Sequence, residues 1–205
     1  MRANTVFSSV KNATLVEKRR NEIIRSAIAL FKQKGFHRTT TREIAKEAGF
    51  SIGTLYEYIR TKEDVLMLVY ESINDHVFRH LATLTEVQEP SLENLITIID
   101  SYYRFIDRMQ EEVLILYQEV KSLEANVKKE VLQTERNQVL MLKNAIMAAI
   151  PNKVSEEEAD ILANNILVHG HMWCFRRWTL QKNYTIDEYI AMQTKLLLQT
   201  IQVDI

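Results

Sequence analysis

The sequence predicts an all-α protein of about nine helices. A three-helix N-terminal domain holding a helix-turn-helix precedes a larger helical body. Three observations predict this. Only 4 Gly and 2 Pro occur in 205 residues, which leaves little room for β-turns. Apolar residues recur at i, i+3, i+4 and i+7 through most of the chain. Three capping boxes, Thr40/Glu43, Ser155/Glu158 and Thr185/Glu188, mark helix starts.

Residues 1–16 are mostly small or polar, with Arg2 and Lys11 as charges and no helical period. They are expected to form a flexible arm, either idle or reaching into a minor groove. A first helix is expected over 17–34, burying Ile23, Ile24, Ala27, Ile28 and Phe31. Lys18, Arg19 and Arg20 in its first turn oppose the helix dipole, and read as a phosphate-contacting group or a solvated face. Thr40 then caps a short helix with Ile44, Ala45 and Ala48 on its apolar face. Gly49 ends it, because glycine accepts the left-handed conformation a helix C-terminus often needs. Ser51 caps a second short helix with Ile52, Leu55, Tyr56 and Ile59 in helical register. Helix, glycine turn, helix is the helix-turn-helix pattern, whose second helix enters the major groove.

Net charge is −1, which says little about partners, but its distribution says more. Residues 1–62 hold 13 Lys+Arg against 5 Asp+Glu, and residues 63–205 hold 13 against 22. A basic head on an acidic body suits a DNA-binding domain, 17–62, joined to a regulatory domain, 63–205.

The residues of the short pair can be given roles. Thr41 and Arg42 open its first helix, where backbone amides and a guanidinium suit a phosphate; Arg42 could also reach a guanine edge. Gly53 lets the second helix approach the sugar-phosphate wall, and Thr54 offers a hydroxyl and a methyl. Tyr56 and Tyr58 are expected to present phenols to the groove, the alternative for Tyr56 being a partly inside position. The run Arg38 to Leu66, above all Gly53-Thr54-Leu55-Tyr56-x-Tyr58 and Lys62-Glu63-Asp64-x-Leu66, resembles the N-terminal domain of the tetracycline-repressor (TetR) family. The resemblance covers roughly residues 17–68. It implies a homodimeric transcription regulator that binds a palindromic double-stranded DNA operator and releases it when a small ligand enters the C-terminal domain. Family contacts carried over are Thr41, Arg42, Gly53, Thr54, Tyr56, Tyr58 and Lys62. Ile52 stands where family members often place a polar or basic residue, and Glu57 is acidic near the groove, where it could accept from a cytosine amino group or repel phosphate.

A connecting helix is expected from Thr61 to about Glu86, with Val65, Leu66, Leu68, Val69, Ile73, Val77, Phe78 and Leu81 apolar. Pro90-Ser91 breaks the chain, and Ser91 caps the next helix. Residues 91–150 read as two or three helices. Ile96, Ile99, Tyr103, Ile106 and Met109 form one apolar face, and Leu114, Leu116, Tyr117 and Val120 another. A long helix, Val127 to Ile150, follows and ends at Pro151. Tyr102, Tyr103, Tyr117, Met109 and Met141 read as cavity wall or as core. Two further helices, from Ser155 to about Gln181 and from Thr185 to about Val203, resemble the family's dimerisation pair. Leu162, Ile166, Tyr189, Met192 and Leu196 would supply that interface or the body's own core.

The stretch from His169 to Trp178 resembles the penultimate helix of family members that bind acyl-coenzyme A thioesters. Arg177 could stack on Trp173, and Arg176 or Arg177 could meet a coenzyme phosphate. A planar hydrophobic drug or another lipid-like effector competes with that reading. The candidate ligand set is therefore Tyr103, Met109, Tyr117, Trp173, Arg176 and Arg177. His169, His171 and Cys174 lie close in sequence, but the two histidines fall on different sides of a helix. The two ligands left are fewer than zinc needs, so no metal is expected. No cofactor is expected, and no nucleophile elbow or phosphate-cradling loop suggests an enzyme. The single cysteine fits a reducing cytoplasm, and no apolar run suits a membrane or a secretory signal. A ligand-responsive repressor is the first expectation. A DNA-binding regulator governed by a protein partner is second, and a helical enzyme third.

Overall fold

The computed structural model describes residues 6–86, 89–119 and 125–201. Among the described residues there are ten helices and no strand. They are α1 Ala13–Lys34, α2 Thr41–Glu47, α3 Ile52–Tyr56, α4 Lys62–Glu86, α5 Leu92–Arg108, α6 Gln110–Glu119, α7 Ala125–Ala149, α8 Glu156–Phe175, α9 Arg177–Asn183 and α10 Ile186–Thr200. The chain divides into two compact units. The head is Met1–Asn74 with Ile115–Val131, and the body is Asp75–Leu114 with Leu132–Ile205. The division falls inside α4, after Asn74.

Local chemistry starts five of the helices, α2, α3, α5, α8 and α10, at the expected caps. Thr40, Ser155 and Thr185 each complete a capping box, and Ser51 and Ser91 each accept a bond from the third residue of their helix. Thr61 Oγ1 accepts from Asp64 N at the start of α4. Gly49 takes φ +74° after α2, the left-handed region open to glycine.

In the head, α2 packs against α1 and α3 around Ile23, Ala27, Ile44, Leu55 and Ile59. Helix α4 is buried without a break from Val65 to Tyr70, so this part is a central rod rather than an amphipathic surface helix. Tyr70 donates its hydroxyl to the Leu116 carbonyl, fixing α6 residues in the same unit. Two expectations are corrected here. Helix α1 begins at Ala13, capped by Asn12, and residues 6–12 are not a loose tail, since Val6 is buried and Ser9 N donates to Glu57 O at 2.9 Å. Arg20 is not a surface cation for phosphate: it is buried and donates to the carbonyls of Val6 and Phe7.

In the body, α5 packs on α8 and α10. The stripe Leu95, Ile98, Ile99, Tyr102, Tyr103 and Ile106 gives α5 its inner face. The helix expected from Ser155 to Gln181 is instead broken at Arg176, where φ −104° and ψ 20° leave the helical region. The reason is long-range. Trp173, Arg177 and Gln181 flank the break and are each tied to the α5–α6 junction, a pull that periodicity does not encode. Of the expected dimer residues, Leu162, Ile166 and Tyr189 face the body's own core, while Met192 and Leu196 are exposed. The apolar residues exposed on α8 are Ile161 and Val168. Val120, the side chain of Val127, and Val203 lie outside the described residues.

Burial makes the body acid-sensitive. His171 shares a 3.2 Å hydrogen bond with the Tyr102 hydroxyl, and burial pushes its pKa from 6.5 down to about 4. Burial also lowers His76, His80 and His169. The unfolded chain therefore takes up protons near the ordinary histidine pKa that the folded chain refuses. Stability is full above that pKa and falls as pH drops toward about 4. For His171 alone the loss at pH 5 is about 2 kcal/mol. The melting temperature should fall steadily between about pH 7.5 and 5, and His171→Gln should flatten the fall. An unchanged slope in that variant would reject His171 as the main contributor.

Candidate nucleic-acid interface

The exposed face of the head is built by α2 and α3. The capping box holds the start of α2: Thr40 N donates to Glu43 Oε2 at 2.9 Å, and Lys34 Nζ reaches Glu43 Oε1 at 2.5 Å. Lys34 and Thr40 together hold the Glu43 carboxyl down at about 2. The next two residues are thereby aimed outward. Thr41 Oγ1 lies 3.2 Å from the Tyr56 hydroxyl, and Arg42 is exposed beside them. Thr40, Thr41, Arg42, Ile52 and Tyr56 line one open recess. Tyr56 is 46% exposed, which answers the alternative that it packs inside. Gly53 is exposed in the first turn of α3, and a Cβ there would meet only Ser51 Oγ at 3.7 Å. The space beside this glycine is open to solvent. Thr54 is half-buried, its hydroxyl 2.9 Å from Ser51 Oγ.

Two expected contacts are corrected. Tyr58 is only 3% exposed and belongs to the head's interior, because the residue two places past Tyr56 falls on the opposite side of the helical turn. Lys62 is committed elsewhere: its ammonium donates to the carbonyls of Phe36 at 3.1 Å and His37 at 3.2 Å and lies 4.3 Å from the Phe36 ring centroid. It braces the loop between α1 and α2, so its charge is already partly matched.

The residues expected around an effector are not gathered in one place. Tyr103 is buried and lines a cleft of about 110 Å³ with Leu162, Ile166 and His169. Met141 lines another of about 290 Å³ with Leu84, Thr85, Leu95, Ile98 and Ala145. The larger is just under the ~300 Å³ at which ligand pockets begin. Met109 caps α5, and Tyr117 is exposed and counted with the head. Tyr102 is fully buried and donates to the Leu167 carbonyl at 3.3 Å. Trp173 is buried and donates Nε1–H to Asp107 Oδ1 at 2.6 Å, while Arg177 pairs with Glu111 at 2.5 Å. Arg177 therefore pairs with a carboxylate of α6 where stacking on Trp173 was expected, and Arg176 is exposed at the helix break. Asp107 and Glu111, which hold these side chains, and Gln110, which accepts from Gln181, carry no sequence signal, because hydrogen-bond partners 66 or 71 residues apart leave no period.

Burial pushes the Cys174 thiol up to about 12, and its sulfur faces the Ile106 carbonyl at 3.8 Å. Among the described residues no three His, Cys, Asp or Glu side chains gather as a metal site, and no helix is long and apolar enough to cross a membrane.

Residues 23–68, which span the second half of α1, α2, α3 and the start of α4, match the sequence profile of the bacterial regulatory proteins of the tetR family. The chain therefore carries, in its head, the DNA-binding domain of the tetR family. It is a DNA-binding transcriptional regulator. The chain is 27% identical over 198 residues to the HTH-type transcriptional regulator HbdR of Aromatoleum sp. (strain CIB), covering 96% of this chain and 86% of that protein. It is 23% identical over 161 residues to the HTH-type transcriptional repressor KstR2 of Mycolicibacterium smegmatis, covering 78% of each. Its fold matches the crystal structure of AibR in complex with isovaleryl coenzyme A and operator DNA, with a TM-score of 0.70 at 19% identity over 87% of this chain and 97% of that one. On this head Arg42, Gly53 and Tyr56 are exposed, Thr41 and Thr54 are half-buried beside them, Tyr58 is buried, and Lys62 is bonded to the loop between α1 and α2.

Proposed function

We propose that this regulator is a homodimeric repressor that binds a palindromic operator and releases it when a hydrophobic effector enters the body. The observation that carries the reading is the recess in which Thr41, Arg42 and Tyr56 converge beside an unobstructed Gly53. Arg42 reads a base edge or grips a phosphate there, and the backbone of α3 closes on the groove wall. Repression is favoured by the relative named a repressor. A second copy is favoured by the apolar side chains left exposed on α8 and α10, namely Ile161, Val168, Met192 and Leu196. Two heads then meet successive major grooves about one helical turn apart.

Acyl-coenzyme A thioesters are the effector class to test first. The support is the AibR complex, whose ligand is such a thioester, together with Arg176 standing exposed at the α8–α9 break. Clefts of about 290 and 110 Å³ are smaller than a whole thioester, so its entry into either would open the body. The larger cleft is walled by Leu84 and Thr85 of α4, the helix that also carries head residues up to Asn74. Differential affinity for the opened form is what shifts the operator equilibrium. The protein would act in the cytoplasm, beside the DNA it reads.

The test starts by enriching operator from random duplexes with the full chain, then measures its Kd with and without a series of acyl-coenzyme A thioesters. Arg42→Ala should weaken operator binding by about 1–3 kcal/mol, or roughly ten- to a hundredfold. A saturating thioester should weaken it at least about tenfold. Failure to enrich any duplex rejects the operator reading; a bound thioester with no change in Kd rejects the coupling.

A further inference from the structure

The N-terminal segment, residues 6–10, is built into the head at the far end of the recognition helix. Helix α3 has only five residues, too few to hold a helix by its own hydrogen bonds. Its start is held by Ser51, whose hydroxyl accepts from Thr54 N at 3.0 Å, and its middle by the fully buried Leu55. Its end is held from outside. The carbonyl of Glu57, the C-cap of α3, is one of the acceptors a helix terminus leaves without an internal partner. It receives Ser9 N at 2.9 Å, Ser8 Oγ at 3.1 Å and Ser9 Oγ at 3.2 Å.

The segment has its own anchors. Val6 is buried, and Arg20 of α1 donates to the carbonyls of Val6 and Phe7. The Phe7 ring lies 4.0 Å under the guanidinium of Arg60, in the turn that leads from α3 to α4. Five residues thus join α1, the end of α3 and the α3–α4 turn. None of residues 6–10 carries a formal charge, so the segment adds no phosphate-binding cation of its own.

We propose that residues 6–10 are a positioning strap for the recognition helix: Ser8 and Ser9, through the Glu57 carbonyl, set the seat of α3 and so sharpen operator specificity without touching DNA. Base-edge hydrogen bonds tolerate little misplacement, whereas phosphate attraction tolerates much. Loosening the strap therefore weakens specific binding more than non-specific binding. It also leaves the salt dependence alone, because that slope counts neutralised phosphates.

The test uses the full chain and the duplex it enriches from a random pool. The variant Ser8→Ala/Ser9→Pro removes all three donors, and Phe7→Ala is a milder second probe that leaves them in place. Operator Kd should rise about tenfold in the first and about threefold in the second. Kd for an unrelated duplex and the slope of log Kd against log salt should stay as in the parent. Ser8→Thr/Ser9→Thr, which keeps the hydroxyls, should restore operator binding. An operator Kd within twofold of the parent in both probes overturns the proposal, as does an equal loss on both duplexes. A parent chain that enriches no duplex instead condemns the operator reading itself.

Discussion

Trp173→Ala should cost about 3–5 kcal/mol of folding stability, the usual range for deleting a large buried aromatic side chain. The indole is 4% exposed, its ring centroid is 4.9 Å from that of Tyr189 on α10, and its Nε1–H reaches Asp107 on α5. One side chain thus joins three helices, and alanine leaves a cavity among them. Trp173→Phe separates the two contributions. It keeps most of the apolar burial but removes the donor from Asp107, which retains Gln110 Nε2 at 2.8 Å. The expected loss is about 1–2 kcal/mol. Urea unfolding followed by circular dichroism, at one fixed protein concentration because association would shift the midpoint, gives both numbers. If Trp173 were instead an effector contact, Trp173→Phe would weaken thioester binding and leave the urea midpoint unmoved.

Gly170→Ala should destabilise the body by about 1–2 kcal/mol, although alanine is the better helix former. An added Cβ would stand 2.8 Å from Tyr102 Cε1 and 3.2 Å from Tyr103 Cδ1. Neither ring is the loose end of a flexible chain. Tyr102 is fully buried, with its hydroxyl held by the Leu167 carbonyl and His171, and Tyr103 is buried against Tyr189. Glycine here is what lets α8 lie against α5. Overpacking of about 1–3 kcal/mol outweighs the helix gain of up to about 1 kcal/mol. Tyr102→Leu removes the obstructing ring, so in that background the alanine should turn neutral or favourable. A double-mutant cycle reads this coupling. A Gly170→Ala protein that melts at or above the parent would show that the helices do not meet so closely.

The head could be read further from its sequence than the body could. Thr40, Glu43, Gly49 and Ser51 act on neighbours within three or four residues, so short-range spacing is enough to place α2, the turn and α3. Arg42 and Tyr56 emerged on the open face for the same reason. Tyr58, Lys62 and Arg20 did not. Each has a polar or aromatic end that suits DNA as well as it suits a carbonyl or a buried niche, and only the neighbours supplied by distant segments decide. In the body the same ambiguity separates Leu162 from Ile161: adjacent apolar residues on one helix are both plausible inner positions until the packing of α5 selects one.

Helix content, the helix-turn-helix, the basic head and the family were therefore determined by the residues alone, because caps, glycine turns and charge clusters are local or additive properties. The tertiary structure alone decided what is held between partners far apart in the chain. It broke the α8–α9 stretch at Arg176, matched Arg177 with Glu111 and Trp173 with Asp107, tied Ser8 and Ser9 to Glu57, and scattered the expected effector residues over separate surroundings. The physical reason is that a hydrogen bond or ion pair depends on where two groups meet in space, and a meeting across 66 residues leaves no period in the sequence.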